Sequence, residues 1–148
     1  MFRGVTQLSL DNKGRLAVPA RHRDALLARC GGKLVVTADS SQCLLVYPGP
    51  DWEPIQQKLM SLSAFNGRVR DLQRLLVGNA ADVEMDGAGR ILIPAPLRSL
   101  AGLEKDIALV GQGTRLELWD QARWAEQMDK SMAAADQAMP PDLEGFSL

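Results

Sequence analysis

DNKGRLAVPARHR, from Asp11 to Arg23, returns 75 residues later as DGAGRILIPAPLR, from Asp86 to Arg98. Both stretches follow one pattern, D-x-x-G-R-x-x-x-P-A-x-x-R. An internal repeat at a long, fixed spacing indicates duplicated structural units that share a core. We therefore interpret the chain as two related halves, and we expect the same local structure in each.

The pattern predicts a turn, a strand and a helix in that order. An Asp side chain accepts hydrogen bonds from backbone N–H groups two residues on, and Gly14 and Gly89 tolerate positive φ, so each copy begins in a tight turn. A three-residue apolar run follows the arginine and suits a buried strand. Pro19 and Pro94 end the strands because proline has no N–H for a ladder. A short helix should follow each proline.

Composition points to an ordinary globular protein. The 148 residues are 46% hydrophobic and 24% charged, close to the average for such proteins. The sequence contains no apolar run near 18 residues and no apolar signal segment, so we expect a cytoplasmic protein without a membrane partner. Cys30 and Cys43 are expected to be reduced core residues rather than a disulfide.

Charge is distributed unevenly, although the net charge is −1. Residues 1–29 carry six Lys and Arg against two acids, whereas residues 117–148 carry seven acids against two bases. A basic patch of this kind can face phosphates in an otherwise neutral chain. Solvent or a neighbouring subunit could equally balance the two ends, and charge alone does not separate these interpretations.

The remaining elements follow from periodicity and turn residues. Phe2–Leu10 is predicted to form a hairpin with Leu16–Val18. Asp51 is predicted to cap a helix over Trp52–Leu62, a second helix ends at Gly78, and a turn is expected at Gly111–Thr114. Asp120 should cap a last helix with an apolar stripe, ended by Pro140-Pro141 and followed by a loose tail; the stripe comprises Ala125, Met128, Met132 and Ala135.

These elements divide the chain into four segments. Residues 1–50 and 80–123 are the two repeats, residues 51–79 a helical connector, and residues 124–148 the C-terminal helix and tail. Tyr47 and Trp52 correspond to Trp119 and Trp124, with a three-residue shift in register. The expected fold class is α+β.

Catalytic machinery is not recognisable in the sequence. His22 is the only histidine, no G-x-S-x-G motif is present, and the two cysteines lack companions with metal-ligand spacing. Gly111-Gln112-Gly113 lacks the sixth-position glycine of a dinucleotide loop. We predict a protein that is not an enzyme and that uses neither a metal nor another cofactor.

The repeated arginines remain as candidates for binding. Arg15 and Arg90 occupy equivalent places, so a two-fold-like arrangement would present both on one surface. A guanidinium can bind phosphate oxygens or grip guanine O6 and N7. Each could instead pair with its own Asp, four residues earlier, and only fasten the turn; an Asp–Arg pair can also orient the arginine toward DNA.

Six stretches together closely resemble the bacterial MraZ proteins, and the resemblance covers nearly the whole chain. They are MFRG, DNKGRLAVPARHR, CLLVYP, QRLLVGNA, MDGAGRILIPAPLR and LVGQGTRLELWD. The resemblance implies an AbrB-like fold of two fused swapped-hairpin β-barrel halves, with subunits assembled into closed rings. It also implies a nucleoid-associated transcriptional regulator that binds double-stranded promoter DNA of the division and cell-wall gene cluster, including its own promoter.

The family's D-x-x-x-R motif carries over onto two pairs, Asp11 with Arg15 and Asp86 with Arg90. Lys13 in the first turn is a candidate phosphate contact, whereas Ala88 stands in the second turn, so we expect Arg15 to matter more than Arg90. Direct promoter repeats one helical turn apart, about 10 bp, would suit neighbouring subunits of a ring. Subunit number, operator sequence, the sign of regulation and the roles of Arg23 and Arg98 stay open.

Three other functions are compatible with parts of the sequence. An AbrB-type antitoxin would join one DNA-binding unit to a toxin-wrapping tail, but the duplication and the short tail argue against it. An enzyme on a related barrel would show turnover that depends on His22 or Cys43. A purely structural ring would assemble without salt-sensitive affinity for DNA.

Overall fold

The computed structural model describes residues 1–135, 141–143 and 145, and it shows an α+β fold. Eight strands are present in this part of the chain: β1 Phe2–Ser9, β2 Arg15–Ala17, β3 Lys33–Ala38, β4 Leu44–Pro48, β5 Ala81–Glu84, β6 Arg90–Leu92, β7 Asp106–Gly113 and β8 Arg115–Asp120. The α-helices are α1 Ala20–Cys30, α2 Gly49–Met60, α3 Gly67–Leu72, α4 Ala95–Ala101 and α5 Gln121–Ala134. A π-helical turn, Gln73–Val77, continues α3, and Pro141–Leu143 forms a 3₁₀ turn.

The strands form two antiparallel sheets whose order interleaves the repeats. Six strands make one sheet in the order β1-β7-β8-β4-β3-β5, and β2 and β6 make a separate two-stranded ribbon. The ladders β1–β7, β3–β5, β4–β8 and β2–β6 each join one repeat to the other, whereas β3–β4 and β7–β8 are local. The two repeats therefore share one set of sheets.

The predicted hairpin between β1 and β2 is wrong. β1 pairs over its whole length with β7, from Phe2 opposite Gly113 to Ser9 opposite Asp106. The Asp11 turn sends the chain away from β1, and the strand after it pairs with β6 of the other repeat. The short turn between β1 and β2 thus does not make them partners, because each strand pairs with a strand of the other repeat.

Apolar side chains fill both faces of the six-stranded sheet. One cluster packs the ribbon, α1 and α4 against the sheet, with Leu16, Leu26, Ile93 and Leu97 at 3% exposure or less. The other lies under α2 and α5 and contains Trp52 and Trp119. Burial of this apolar area, about 25 cal/mol per Å², is the main stabilising contribution.

The aromatic pairs confirm the correspondence between the later parts of the repeats. The ring centroids of Tyr47 and Trp52 are 5.5 Å apart, and those of Trp119 and Trp124 are 5.6 Å apart. Each pair joins the end of a strand to the start of the following helix. Trp52 and Trp119 are buried in the core, and Trp124 is partly buried against the same cluster.

Helix ends follow from local residue chemistry, and one predicted cap is wrong. Gly31 and Gly102 end α1 and α4 in left-handed conformation, and the side chain of Asp120 accepts a hydrogen bond from the Arg123 N–H at the start of α5. Asp51 does not cap α2. The helix begins at Gly49, two residues before Asp51, because the extended residue before the helix is Pro48. Asp51 lies in the first turn, where its charge still suits the helix dipole.

Two further expectations concern the second half and the C-terminus. The predicted turn at Gly111–Thr114 is shorter than expected: β7 runs through Gly113, and Gln112 pairs with Arg115 across a two-residue connection. Gly113 makes this tight connection feasible because its φ is 75°. Helix α5 ends at Ala134, while the Pro140 stop and most of the predicted loose tail lie outside the described residues.

Candidate nucleic-acid interface

The first turn is closed by both oxygens of the Asp11 carboxylate. Oδ1 accepts hydrogen bonds from the backbone N–H groups of Lys13 and Arg15, each at 2.9 Å. Oδ2 accepts from Arg15 Nε at 2.8 Å. The Gly14 N–H donates to the Asp11 carbonyl at 3.0 Å. One carboxylate thus fixes the turn and holds the Arg15 guanidinium at its Nε atom.

The second turn repeats this arrangement. Asp86 Oδ1 accepts from the N–H groups of Ala88 and Arg90 at 2.9 Å, and Oδ2 accepts from Arg90 Nε at 3.3 Å. The structure therefore confirms that each arginine pairs with its own Asp. This pairing uses only Nε, and among the described residues the Nη groups of both guanidinium groups have no other hydrogen-bond partner, so their donors can bind another molecule.

The ribbon places both arginines on one face. In the β2–β6 ladder, Arg15 lies opposite Leu92 and Arg90 lies opposite Ala17. Side chains alternate along a strand, so these four residues share the outer face, while Leu16 and Ile91 are buried on the inner face. Diagonal neighbours of this kind have backbones roughly 7–8 Å apart.

Hydrogen bonding favours the charged form of both carboxylates. The pKa of Asp11 is lowered, first by the hydrogen bond from the Arg15 backbone N–H and then by the Arg15 side chain and the Lys13 N–H. The pKa of Asp86 is lowered for the same reason, with the Arg90 backbone N–H as the largest cause. Both carboxylates stay ionised at neutral pH, and the arginines stay oriented.

The two turns differ in charge, as the sequence indicates. Lys13 is exposed in the first turn, and the second turn has Ala88. On the helix after β2, Arg21 donates from Nη2 to the Thr6 hydroxyl at 2.8 Å, and the second repeat has Pro96 at the equivalent place. The first repeat therefore carries the greater density of positive charge.

Arg23 and Arg98 have contacts that sequence reasoning did not anticipate. Each lies against the glycine of the other repeat's turn: Arg98 against Gly14, and Arg23 against Gly89. Their identical place, four residues after the proline in each copy, was a signal that both arginines have the same role. It did not indicate which turn each one would reach.

The other candidate residues lie apart from the ribbon's outer face. His22 is buried against Phe2, and Cys30 and Cys43 are free thiols. Among the residues that the structure describes, no group of three or more His, Cys, Asp or Glu side chains is placed to hold a metal ion. Over the same residues, no helix is both long enough and apolar enough to cross a membrane.

The geometry defines a duplicated α+β protein that presents two Asp-held arginines on a shared ribbon. The chain belongs to the MraZ family, because the model of that family, described as MraZ protein and antitoxin-like, matches residues 1–75 and 76–141. Proteins named "Transcriptional regulator MraZ" are 64% identical in Nitrosospira multiformis, 62% in Nitrosomonas eutropha and 53% in Idiomarina loihiensis, over all of this chain and all of each relative.

Proposed function

We propose that the chain is a DNA-binding transcriptional regulator that contacts double-stranded promoter DNA with the outer face of the β2–β6 ribbon. The observation that carries this proposal is the pair of equivalent arginines, Arg15 and Arg90, held by Asp11 and Asp86 on one exposed face. The names of the family relatives support the same function.

The ribbon has the dimensions and side chains that a DNA groove requires. Two strands about 4.8 Å apart fit a major groove about 12 Å wide, which admits a two-stranded ribbon. Each free pair of Nη groups can reach guanine O6 and N7 or a phosphate. Ala17 and Leu92 between the arginines are exposed and offer apolar contact to thymine methyl groups.

Lys13 adds a phosphate contact to the first turn only. Lys13 is exposed and stands two residues before Arg15. A lysine binds phosphate as a point charge. The first turn therefore contributes more to affinity than the second.

We propose further that subunits assemble into a ring and bind direct repeats about one helical turn, roughly 10 bp, apart. Exposed apolar side chains lie on two separate surfaces: Met60, Leu62 and Phe65 at the α2–α3 connection, and Met128 and Met132 on α5. Contact between two different patches is heterologous and closes into a ring when the rotation permits. Several weak arginine contacts would then combine by avidity.

The natural target is the promoter of the division and cell-wall gene cluster, including the promoter of the protein's own gene, and the protein acts in the cytoplasm at the nucleoid. Residues 1–50 and 80–123 act as two AbrB-like repeats forming a swapped-hairpin barrel, with 51–79 as connector and 124–148 as C-terminal segment. The cross-repeat ladders support this arrangement.

The deciding experiment compares binding to DNA from upstream of the protein's own gene with binding to scrambled DNA at two salt concentrations. We expect preference for the native fragment and affinity that falls with salt. Arg15→Ala should weaken binding by about 1–3 kcal/mol or, for a phosphate contact, lower the salt slope by about 1. Arg90→Ala should have the smaller effect.

Arg29→Ala is the matched control, because Arg29 is also an exposed arginine paired with an aspartate, Asp51, but lies at the end of α1. It should bind DNA like the unmodified protein. Equal weak binding to native and scrambled DNA would contradict sequence-specific regulation. Unchanged binding by folded Arg15→Ala would contradict the role given to Arg15.

A further inference from the structure

Arg98 connects the second repeat to the turn of the first. Its Nε donates to the Ile93 carbonyl at 3.0 Å, and the Ile93 N–H donates to the Gly14 carbonyl at 2.9 Å. The guanidinium lies so close over Gly14 that a methyl group at this position would be 2.5 Å from Arg98 Nε. The arginine therefore fixes the strand end that holds the turn and also covers the turn itself.

Arg23 makes the corresponding connection in the opposite direction. Its Nη2 donates to the Val18 carbonyl at 2.9 Å, and the Val18 N–H donates to the Gly89 carbonyl at 2.9 Å. The Nε and Cζ atoms of Arg23 lie over Gly89 in the same close manner. Both sites thus place a guanidinium over the glycine of the other repeat's turn, although the donating atom is Nε in Arg98 and Nη2 in Arg23.

The close approach requires glycine in both turns. Gly14 and Gly89 are buried, with φ of 86° and 77°, and neither could carry a side chain without displacing the arginine. Each turn is therefore held by its own Asp and covered by an arginine of the other repeat, and we call this arrangement a clamp.

We infer that Arg98 is a positioning residue for Arg15, and that Arg23 is a positioning residue for Arg90, so that support crosses between the repeats. This inference rests on the proposed function for its effect on DNA binding. Groups that bind in a fixed geometry need a supporting shell, and a displacement near 1 Å is costly. Without the covering guanidinium, the turn gains freedom and the Asp-held arginine loses its alignment.

The first test needs no DNA. Hydrogen exchange measured by mass spectrometry reports on the turn amides, because the Gly14 and Gly89 N–H groups are hydrogen-bonded within their turns. In Arg98→Met, exchange should accelerate in the peptide covering residues 11–16 and stay unchanged over residues 86–91. In Arg23→Met, the pattern should be reversed.

Arg29→Met is the matched control for exchange, since it makes the same change on α1 without contact to either turn. It should leave both peptides unchanged. Acceleration in the turn of the same repeat, or equal acceleration in both turns, would overturn the inference. This arm distinguishes failure of the clamp from failure of the proposed function, because it requires no DNA affinity.

The second test is a set of double-mutant cycles on DNA affinity. Arg98→Met should weaken binding about tenfold in the unmodified protein and in Arg90→Ala, but less than about twofold in Arg15→Ala. Arg23→Met should lose its effect in Arg90→Ala and keep it in Arg15→Ala. Additive losses in all backgrounds would mean that Arg98 and Arg23 contact DNA themselves, and would overturn the inference.

Arg98→Lys provides a second variant if the methionine variant is poorly folded. Lysine keeps the positive charge but lacks the planar guanidinium that covers Gly14. We expect faster exchange at residues 11–16 and weaker DNA binding in this variant as well. Full DNA affinity combined with a fast-exchanging turn would show that charge alone suffices, which would overturn the positioning role.

Discussion

At the scale of single residues, one carboxylate in each turn has two structural tasks. In Asp11 and Asp86, one oxygen accepts hydrogen bonds from two backbone N–H groups, and the other accepts a hydrogen bond from an arginine Nε. The turn and the orientation of the arginine are therefore formed together. The same contacts fit both interpretations of the pair. The aspartate can fasten the turn, and it can also orient the arginine for DNA.

Gly14 provides the first prediction at this scale. Gly14→Ala should lower the free energy of unfolding by about 3 kcal/mol or more, because a β-carbon combines positive-φ strain with a clash against Arg98. Gly31→Ala is the control: Gly31 has φ of 63°, and a methyl group there would meet no atom of the described part of the chain within 4 Å. Gly31→Ala should lower the free energy of unfolding by about 1–2 kcal/mol, from backbone strain alone.

Urea unfolding followed by tryptophan fluorescence measures this difference, since Trp52 and Trp119 are buried. Equal losses for the two variants would show that the guanidinium moves aside without cost. The clamp over the turn would then contribute little to stability.

The two thiols provide a second prediction. Cys43 is 1% exposed, and burial, with Glu117 and Asp39 nearby, raises its pKa. A thiol must be both accessible and ionised to react. At pH 8 the folded Cys30→Ser variant should react with a thiol reagent at least about tenfold more slowly than Cys43→Ser. Similar rates for the two variants in the folded state would contradict the burial of Cys43.

At the scale of elements, helix α1 is fastened to β1 by an edge-to-face contact. The rings of His22 and Phe2 have centroids 5.6 Å apart and an interplanar angle of 73°. His22 is 4% exposed, and its Nε2 has no hydrogen-bond partner among the described residues. Burial without a partner for this nitrogen therefore favours a neutral imidazole.

A third prediction follows from the burial of His22. The pKa of His22 is lowered, mainly by burial and then by Arg21, so the unfolded chain binds the proton before the folded chain does. Stability is therefore present at neutral pH and is lost as the pH falls below the ordinary histidine value of about 6.5. The melting temperature should drop between pH 7 and pH 5.

His22→Phe removes the titrating group while keeping a ring against Phe2. Since His22 is the only histidine of the chain, the melting temperature of this variant should change much less over the same range. An equally large change in the variant would assign the pH dependence to carboxyl groups instead.

At the scale of the whole molecule, interleaving makes the repeats depend on each other. Residues 1–79 contain four strands, of which only β3 and β4 pair within this half. β1, β2, β3 and β4 each have a partner in the second half, namely β7, β6, β5 and β8. The cores on both sheet faces also draw residues from both halves.

The fourth prediction is that a fragment of residues 1–79 does not fold as a monomer. In this fragment β1 and β2 lack any partner, and β3 and β4 have only each other. The pattern of the second half is similar, so a second copy can supply the missing strands and form a dimer. Analytical ultracentrifugation with circular dichroism should show folded structure that appears only as dimers form. The full chain at the same concentrations is the control, and a folded monomeric fragment would contradict the interleaved core.

Sequence reasoning succeeded where the determining chemistry is local. Asp, Gly, Arg and Pro specify the turn, the strand end and the helix start within 13 residues, so the sequence alone could predict both Asp–Arg pairs. The alternation of Leu16 and Ile91 with the arginines identifies inner and outer faces once the strands are known. Element types in the second half followed from the same pattern.

Strand partners and the crossed clamps were decided only by the tertiary structure. Pairing β1 with β7, or placing Arg98 over Gly14, depends on contacts between residues more than 80 positions apart, and no local signal encodes which of two similar repeats supplies the partner. The sequence by itself determined two equivalent turns, each with an arginine to present. Packing both repeats around one core brought the arginines onto one face, because burying Leu16 and Ile91 together leaves Arg15 and Arg90 outside.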